Sequence, residues 1–246
     1  MTNTNETIQI PVADGTSMQA RLSRPVGQPA PAGVIVAHEL FGVNPDIGSA
    51  ADALARDGYL TIAPEFYHRD APPGRWLARD EAGRREGFSY LDRLSRPHAL
   101  ADARVSYDWL LAQPGITKIA MVGFSAGGHL AYLAACQLPI FATAILYGGW
   151  LPTTDIPMSQ PTPTLALTPG ITGRILYLVG ADDALIDAGS RGQIARALAA
   201  SGVDHELVTY PGTAHAFFWP GTDSFSQPAR DDAWSRIRAM LAAPCH

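Results

Sequence analysis

Hydrophobic positions fall along this chain in two alternating styles. Six short runs carry almost no polar position: "AGVIVAHE" (32–39), "YLTIAPEF" (59–66), "KIAMVGF" (118–124), "FATAILYGG" (141–149), "RILYLVG" (174–180) and "HELVTYPG" (205–212). Apolar, β-branched runs of this length predict strands covered on both faces. Between them, 46–57, 98–112, 126–137, 188–201 and 231–242 read as helices. In "ALADARVSYDWLLAQP", Leu100, Ala103, Val105, Trp109, Leu110 and Ala112 give a broad apolar face, and Pro114 follows its end. The alternation predicts an α/β fold, a mostly parallel, doubly wound sheet with helices on both faces. The first 25 residues add an antiparallel hairpin turning at Asp14-Gly15.

Two segments break the alternation. Residues 68–96 are charged and interrupted by Pro and Gly, which predicts a surface insertion with a helix over 76–93. Residues 151–170 are rich in Pro and Thr and predict a long connection. Strands continue the same pattern on either side, so residues 1–246 read as one domain.

Composition narrows the class. With 246 residues and 47% hydrophobic content the chain can bury a substantial core. A net charge of −5 and the absence of any Lys/Arg cluster argue against a nucleic-acid surface. No apolar run is long enough to span a bilayer. The start, "MTNTNETIQI", lacks the basic and then apolar order of a signal peptide. Cys136 and Cys245 make no disulfide framework. These features predict a reduced, cytoplasmic protein, in which the Asn5-Glu6-Thr7 glycosylation pattern has no consequence.

The chemistry concentrates at "MVGFSAGGHL" (121–130), where Gly123-Phe124-Ser125-Ala126-Gly127 forms G-x-S-x-G between a predicted strand and a predicted helix. A strand turning sharply into a helix lifts the serine hydroxyl above the sheet edge, and the flanking glycines relieve the crowding. The alternative is a serine that merely caps the helix. A serine nucleophile needs a base. His215, in a Gly-containing loop just after the last strand, is the candidate. His38 follows a buried strand and can line the site, and His129 packs on the helix after Ser125. His68, His98, His205 and His246 read as loop, helix-end, strand-start and tail residues. An acid must orient the imidazole. "LVGADDALIDAG" (178–189) supplies Asp182 and Asp183, which compete, and Asp187, which reads as a helix cap. The chain order Ser, Asp, His is that of the α/β-hydrolases. Neither His38-Glu39 nor His205-Glu206 continues to a second histidine four residues on, so the zinc-protease pattern is absent.

"HELFGVN" (38–44), "GFSAGG" (123–128), "GADDALI" (180–186) and "GTAHAF" (212–217) together resemble the signature blocks of the dienelactone hydrolases, and "APEFYHRDAP" (63–72) resembles a fifth stretch of that family. The resemblance runs from about Val34 to Phe217. It implies an α/β-hydrolase fold without a large cap domain. It implies Asp183 as the acid, His215 as the base, and the N–H groups of Leu40 and Ala126 as oxyanion donors. It also implies three departures. Ser125 stands where founding members carry cysteine. Glu39 matches a buried carboxylate that helps activate that cysteine, a role a serine does not need. Of two arginines that clamp a substrate carboxylate, one resembles Arg84, whereas Trp219 stands at the other and, with Phe217 and Phe218, suggests a more apolar pocket.

The expected function is hydrolysis of a small-molecule carboxylic ester or lactone, without metal or organic cofactor, by a monomer or homodimer. The alternatives are an acyl transferase, lyase or cyclase using the same triad, and a catalytically idle ligand-binding scaffold.

Overall fold

The computed structural model describes residues 4–27 and 31–243. Cys245 and His246 lie outside the described residues. One eight-stranded sheet organises the chain. Strands β1 (Thr4–Pro11) and β2 (Ser17–Arg24) form the expected hairpin, with Gly15 at φ 86° in its turn. That left-handed conformation is available to glycine at little cost. Then follow β3 (Ala32–Ala37), α1 (Pro45–Arg56), β4 (Leu60–Pro64), α2 (Glu81–Leu91), α3 (Arg96–Leu111), β5 (Lys118–Phe124), α4 (Ala126–Ala135), β6 (Ala142–Leu146), β7 (Arg174–Gly180), α5 (Ala188–Ala200), β8 (His205–Tyr210) and α6 (Gln227–Ala242). The strand order is β1-β2-β4-β3-β5-β6-β7-β8, parallel from β4 onward. The mostly parallel α/β sheet expected from the sequence is therefore the one observed.

Burial explains why five of the six apolar runs were legible. Every residue of β3, β4 and β6 is buried, as are all but the first residues of β5 and β7. At the edge, β8 is only partly buried. Helix starts follow local capping. Asn44, Asp80 and Asp187 accept from Ile47, Gly83 and Ser190 N–H at 3.0, 2.7 and 2.7 Å. Each satisfies a first-turn donor that has no partner within the helix.

Three elements differ from expectation for tertiary reasons. The helix predicted over 76–93 is shorter, because Asp80 caps it and Gly83 packs on the Ala78 carbonyl, where a Cβ would stand 2.1 Å away. The charged segment is also more than a surface insertion. Leu77 is buried and its N–H donates to the Phe41 carbonyl at 2.9 Å, and a Cβ on Gly87 would stand 2.7 Å from the Leu40 carbonyl. Residues 77–91 thus form a wall against the loop after β3. In α3 the buried face includes Asp102 and Ser106, while Leu100, Val105 and Trp109 are only partly buried. Asp102 is tolerated inside because Arg69 grips both carboxylate oxygens at 2.7 and 2.8 Å and His68 adds a third contact at 3.2 Å. A buried carboxylate is stable only when paired in this way.

The Pro/Thr-rich connection is pinned as well. Arg96 donates to the Met158 and Thr162 carbonyls at 2.9 and 2.6 Å. His129 on α4 binds the Gly149 carbonyl and the Thr164 hydroxyl at 2.8 and 2.9 Å. Burial pushes both His38 and His129 down to about 4, so each is neutral in the folded protein. An unfolded chain would protonate them near the ordinary histidine value of about 6.5. Stability from this source is complete above about pH 6.5 and is lost as pH falls toward 4. Unfolding free energies from urea titrations across that window should drop by an amount on the order of a few kcal/mol. His129→Asn should flatten the slope, and identical slopes in both proteins would remove His129 from the account.

Candidate active site

Five loops at the carboxyl ends of β3, β4, β5, β7 and β8 meet above the sheet, the edge at which open α/β sheets bind ligands. At the centre, Ser125 follows β5 directly and has φ 52° and ψ −114°. A non-glycine residue in this region stores strain on the order of 1–3 kcal/mol and needs surroundings that enforce it. Those surroundings are visible. The Ser125 N–H donates to the Leu146 carbonyl at 2.9 Å, and its carbonyl accepts from His129 N–H at 3.0 Å. A Cβ on Gly123 would stand 2.1 Å from the Gly127 carbonyl oxygen. One on Gly127 would stand 2.3 Å from the Ala37 oxygen and 2.4 Å from that of His38. Only glycine lets the strand, the turn and the helix approach this closely.

The side chain discriminates between the two readings of this serine. A capping serine would accept from an N–H of the first helical turn. Ser125 makes no such bond, and its Oγ lies 2.9 Å from His215 Nε2. On the other side of the ring, His215 Nδ1 lies 2.8 Å from Asp183 Oδ2. The second oxygen of Asp183 accepts from Leu185 N–H at 2.9 Å. The Asp183 side chain is fully buried, whereas that of His215 is 23% exposed. Asp182 is exposed, and its own N–H donates to the Thr213 carbonyl at 3.0 Å. That backbone bond, with Ala181 N–H on the Tyr210 carbonyl at 2.8 Å, ties the two loops together. Gly180 makes the approach possible, since a Cβ there would stand 2.0 Å from the Thr213 oxygen. Tyr147, itself at φ 43°, sets its ring edge-on to His215 at 5.0 Å between centroids.

Ala126 follows Ser125 directly, and Leu40 lies in the loop after β3. Neither N–H has an acceptor among the described residues. Ala126 is the first residue of α4, where helix geometry leaves donors unpaired.

Glu39, Arg84 and Trp219 occupy different places. Glu39 is buried, and both its carboxylate oxygens accept. Oε1 takes Arg79 Nε and Nη2 at 3.0 and 2.7 Å and Asn44 Nδ2 at 3.3 Å; Oε2 takes the Trp219 indole N–H at 3.0 Å. Burial pushes the Glu39 carboxyl above its ordinary range, against the pull of Arg79 and the bonds from Asn44 and Trp219. Trp219 is buried beneath Arg79, whose guanidinium carbon lies 5.7 Å from its ring centre. Its polar atom is thus committed to Glu39 and not displayed on an open pocket wall. Arg84 is exposed on α2, with its guanidinium over the Phe88 ring at 5.7 Å. Sequence reasoning missed Arg79, which also pairs with Asp46. Nothing in "GRWLARDEAGRREGF" separates it from Arg75, Arg84 or Arg85; only the chain path brings it to Glu39. Trp219→Phe should cost about 1–3 kcal/mol in thermal unfolding, because one buried carboxylate oxygen loses that donor. Combining it with Glu39→Gln should cost less than the sum of the two single changes.

Among the described residues no cluster of three or more His, Cys, Asp or Glu side chains is arranged to hold a metal ion. No described helix is long and apolar enough to cross a membrane.

The parallel sheet, the strained serine after β5 and the Ser-His-Asp chain of contacts define an α/β-hydrolase. The sequence profile described as the dienelactone hydrolase family matches residues 18–244, and the chain belongs to that family, a class of ester and lactone hydrolases. A Synechocystis protein provisionally named a carboxymethylenebutenolidase is 32% identical over 210 residues, covering 85% of this chain and 84% of its own. A Saccharolobus solfataricus protein with the same provisional name is 30% identical over 259 residues, covering 93% and 95%. A crystal structure from Klebsiella pneumoniae subsp. pneumoniae MGH 78578, provisionally named a dienelactone hydrolase, superposes with a TM-score of 0.86 at 28% identity, covering 99% of this chain and all of that one.

Proposed function

We propose that this chain cleaves a small carboxylic ester or lactone through an acyl-enzyme on Ser125. The observation that carries the reading is the Ser125 Oγ to His215 Nε2 contact of 2.9 Å in place of a helix-capping bond. In the forward step Ser125 Oγ attacks the carbonyl carbon and its proton passes to His215 Nε2. Asp183 accepts from Nδ1 and stabilises the imidazolium that forms. The N–H groups of Leu40 and Ala126 receive the oxyanion, each such donor contributing about 3 kcal/mol in the transition state. His215 then protonates the leaving alkoxide. In a lactone that alkoxide stays tethered to the acyl group, so the released product is a single hydroxy acid. A water that gives its proton to His215 then attacks the acyl-enzyme and frees Ser125.

Hydrolysis is favoured over acyl transfer because the His215 side chain is 23% exposed, which leaves water a path to the group that must activate it. The Arg79 guanidinium is committed to Glu39 and Asp46, so we infer a preference for neutral over carboxylate-bearing acyl groups.

The direct test is a stopped-flow burst with p-nitrophenyl esters of short acids, followed by mass spectrometry of the quenched protein. A burst near one equivalent and an acyl mass on the peptide carrying Ser125 are expected. Turnover with an adduct on another residue, or turnover that survives Ser125→Ala, would overturn the mechanism.

A further inference from the structure

His38 is a buried imidazole that the proposed triad does not use, and both of its nitrogens are engaged. Nε2 accepts the Phe66 N–H at 3.2 Å. A ring nitrogen that accepts carries no proton, so in the neutral ring the proton sits on Nδ1. Nδ1 lies 2.7 Å from the Glu39 carbonyl oxygen and therefore donates to it. Burial pushes His38 down to about 4, which keeps the ring neutral at neutral pH, and its two hydrogen bonds select the tautomer.

The acceptor matters because of the peptide it belongs to. The Glu39 carbonyl and the Leu40 N–H are the two ends of one planar, trans group and point in opposite directions. Whatever fixes the carbonyl fixes the aim of the N–H. The Glu39 oxygen also accepts the Gly42 N–H at 3.3 Å, so the shorter bond comes from His38. A donor on the carbonyl further polarises the amide and makes its N–H a better donor at the other end. The ring itself is wedged. Tyr67 stands edge-on at 4.8 Å and Phe66 at 5.7 Å between centroids, and Gly127 of α4 packs against the His38 carbonyl. The His38 side chain thus links the segment after β4 to the loop after β3, while its backbone carbonyl meets the first turn of the helix that follows Ser125.

We propose that His38 is a positioning residue for the oxyanion site, holding the Glu39–Leu40 peptide so that its N–H faces the acyl oxygen on Ser125. This rests on the acyl-enzyme reading above, and adds a residue that does not touch the substrate. Loss of the Nδ1 donor should act where the oxyanion forms and not where the ground state binds.

The test compares His38→Phe, which keeps the ring and its packing but has no donor, with His38→Gln, whose amide can both accept from Phe66 and donate to Glu39. On p-nitrophenyl esters, His38→Phe should lose tenfold or more in kcat with KM within about threefold, since removing an oxyanion donor outright costs about 100- to 1,000-fold. His38→Gln should recover most of that loss. A matched thionoester gives a readout that a merely structural role would not move. Sulfur is a weak acceptor, so wild type should discriminate strongly for the oxygen ester and His38→Phe should discriminate several-fold less. Equal losses on ester and thionoester, or turnover within threefold of wild type, would overturn the assignment. Should His38→Phe fail to fold, nitrogen NMR of wild-type His38 decides: a proton on Nδ1 supports the proposal and a proton on Nε2 overturns it. An inactive Ser125→Ala beside a fully active His38→Phe would sink this inference alone, whereas an active Ser125→Ala would sink the mechanism beneath it.

Discussion

Replacing Ser125 by alanine should lower ester turnover by about a million-fold while the fold and its unfolding temperature persist. The magnitude follows from what the hydroxyl does. In the proposed mechanism it is the atom that forms the covalent bond, and removing the nucleophile of a Ser-His-Asp site costs about that factor, leaving only what the oxyanion donors and binding contribute. The fold should survive because Ser125 Oγ holds no structural bond. The turn is maintained by Ser125 N–H on Leu146, by His129 N–H on the Ser125 carbonyl, and by the close packing of Gly123 and Gly127. Alanine at φ 52° carries the same Cβ strain as serine and adds none. Burst kinetics and circular dichroism on the same preparation check both halves. Turnover within a few-fold of wild type would remove Ser125 from the mechanism, whereas a wild type without turnover would favour the ligand-binding scaffold reading.

Asp183→Asn should lower kcat by about ten-thousand-fold, and Asp182→Asn should change it by less than about threefold. Asp183 Oδ2 accepts from His215 Nδ1 at 2.8 Å, and its other oxygen is fixed by Leu185 N–H. An asparagine held by the same Leu185 bond presents its NH2 to the imidazole. The ring is then driven to the tautomer with its proton on Nε2, which cannot accept from Ser125, and the imidazolium loses its counter-charge; such a change costs about that factor. Asp182 is exposed, and it is its backbone N–H that engages the Thr213 carbonyl. That bond survives substitution of the side chain. Steady-state kinetics on the two variants settle the pair, and a larger loss for Asp182→Asn would move the acid by one position.

Much of this molecule is written locally. The five buried strands β3 to β7 could be read because parallel strands sandwiched between helices have no solvent face, so their runs stay largely apolar. Ser125, Asp183 and His215 stood out because each follows such a run at a break rich in glycine or polar residues, and the backbone chemistry of those breaks is local. Even the choice between Asp182 and Asp183 was open in the residues and needed the family resemblance, since adjacent side chains on a loop differ only in which way the chain turns. Asp102 shows the same limit. On helix α3 the periodicity favours Leu100, Val105 and Trp109, yet an aspartate lies inside because Arg69 and His68, more than thirty residues away, neutralise and bond it.

The charged segment 68–96 marks the boundary most clearly. By itself it predicts a solvated insertion with interchangeable arginines. In the folded chain Leu77 and Gly87 close on Phe41 and Leu40, Arg79 alone reaches Glu39, and Trp219, 180 residues from Glu39, completes the same carboxylate shell. The sequence by itself determined the α/β alternation, the sharp turn at Ser125 and the candidate triad, because strand burial, glycine sterics and capping act over a few residues. Tertiary structure alone decided whether Ser125 caps a helix or meets His215, and which arginine holds Glu39. Those outcomes depend on distances between segments far apart in the chain, and a residue's type carries no record of which distant neighbour will satisfy its charge or its hydrogen bond.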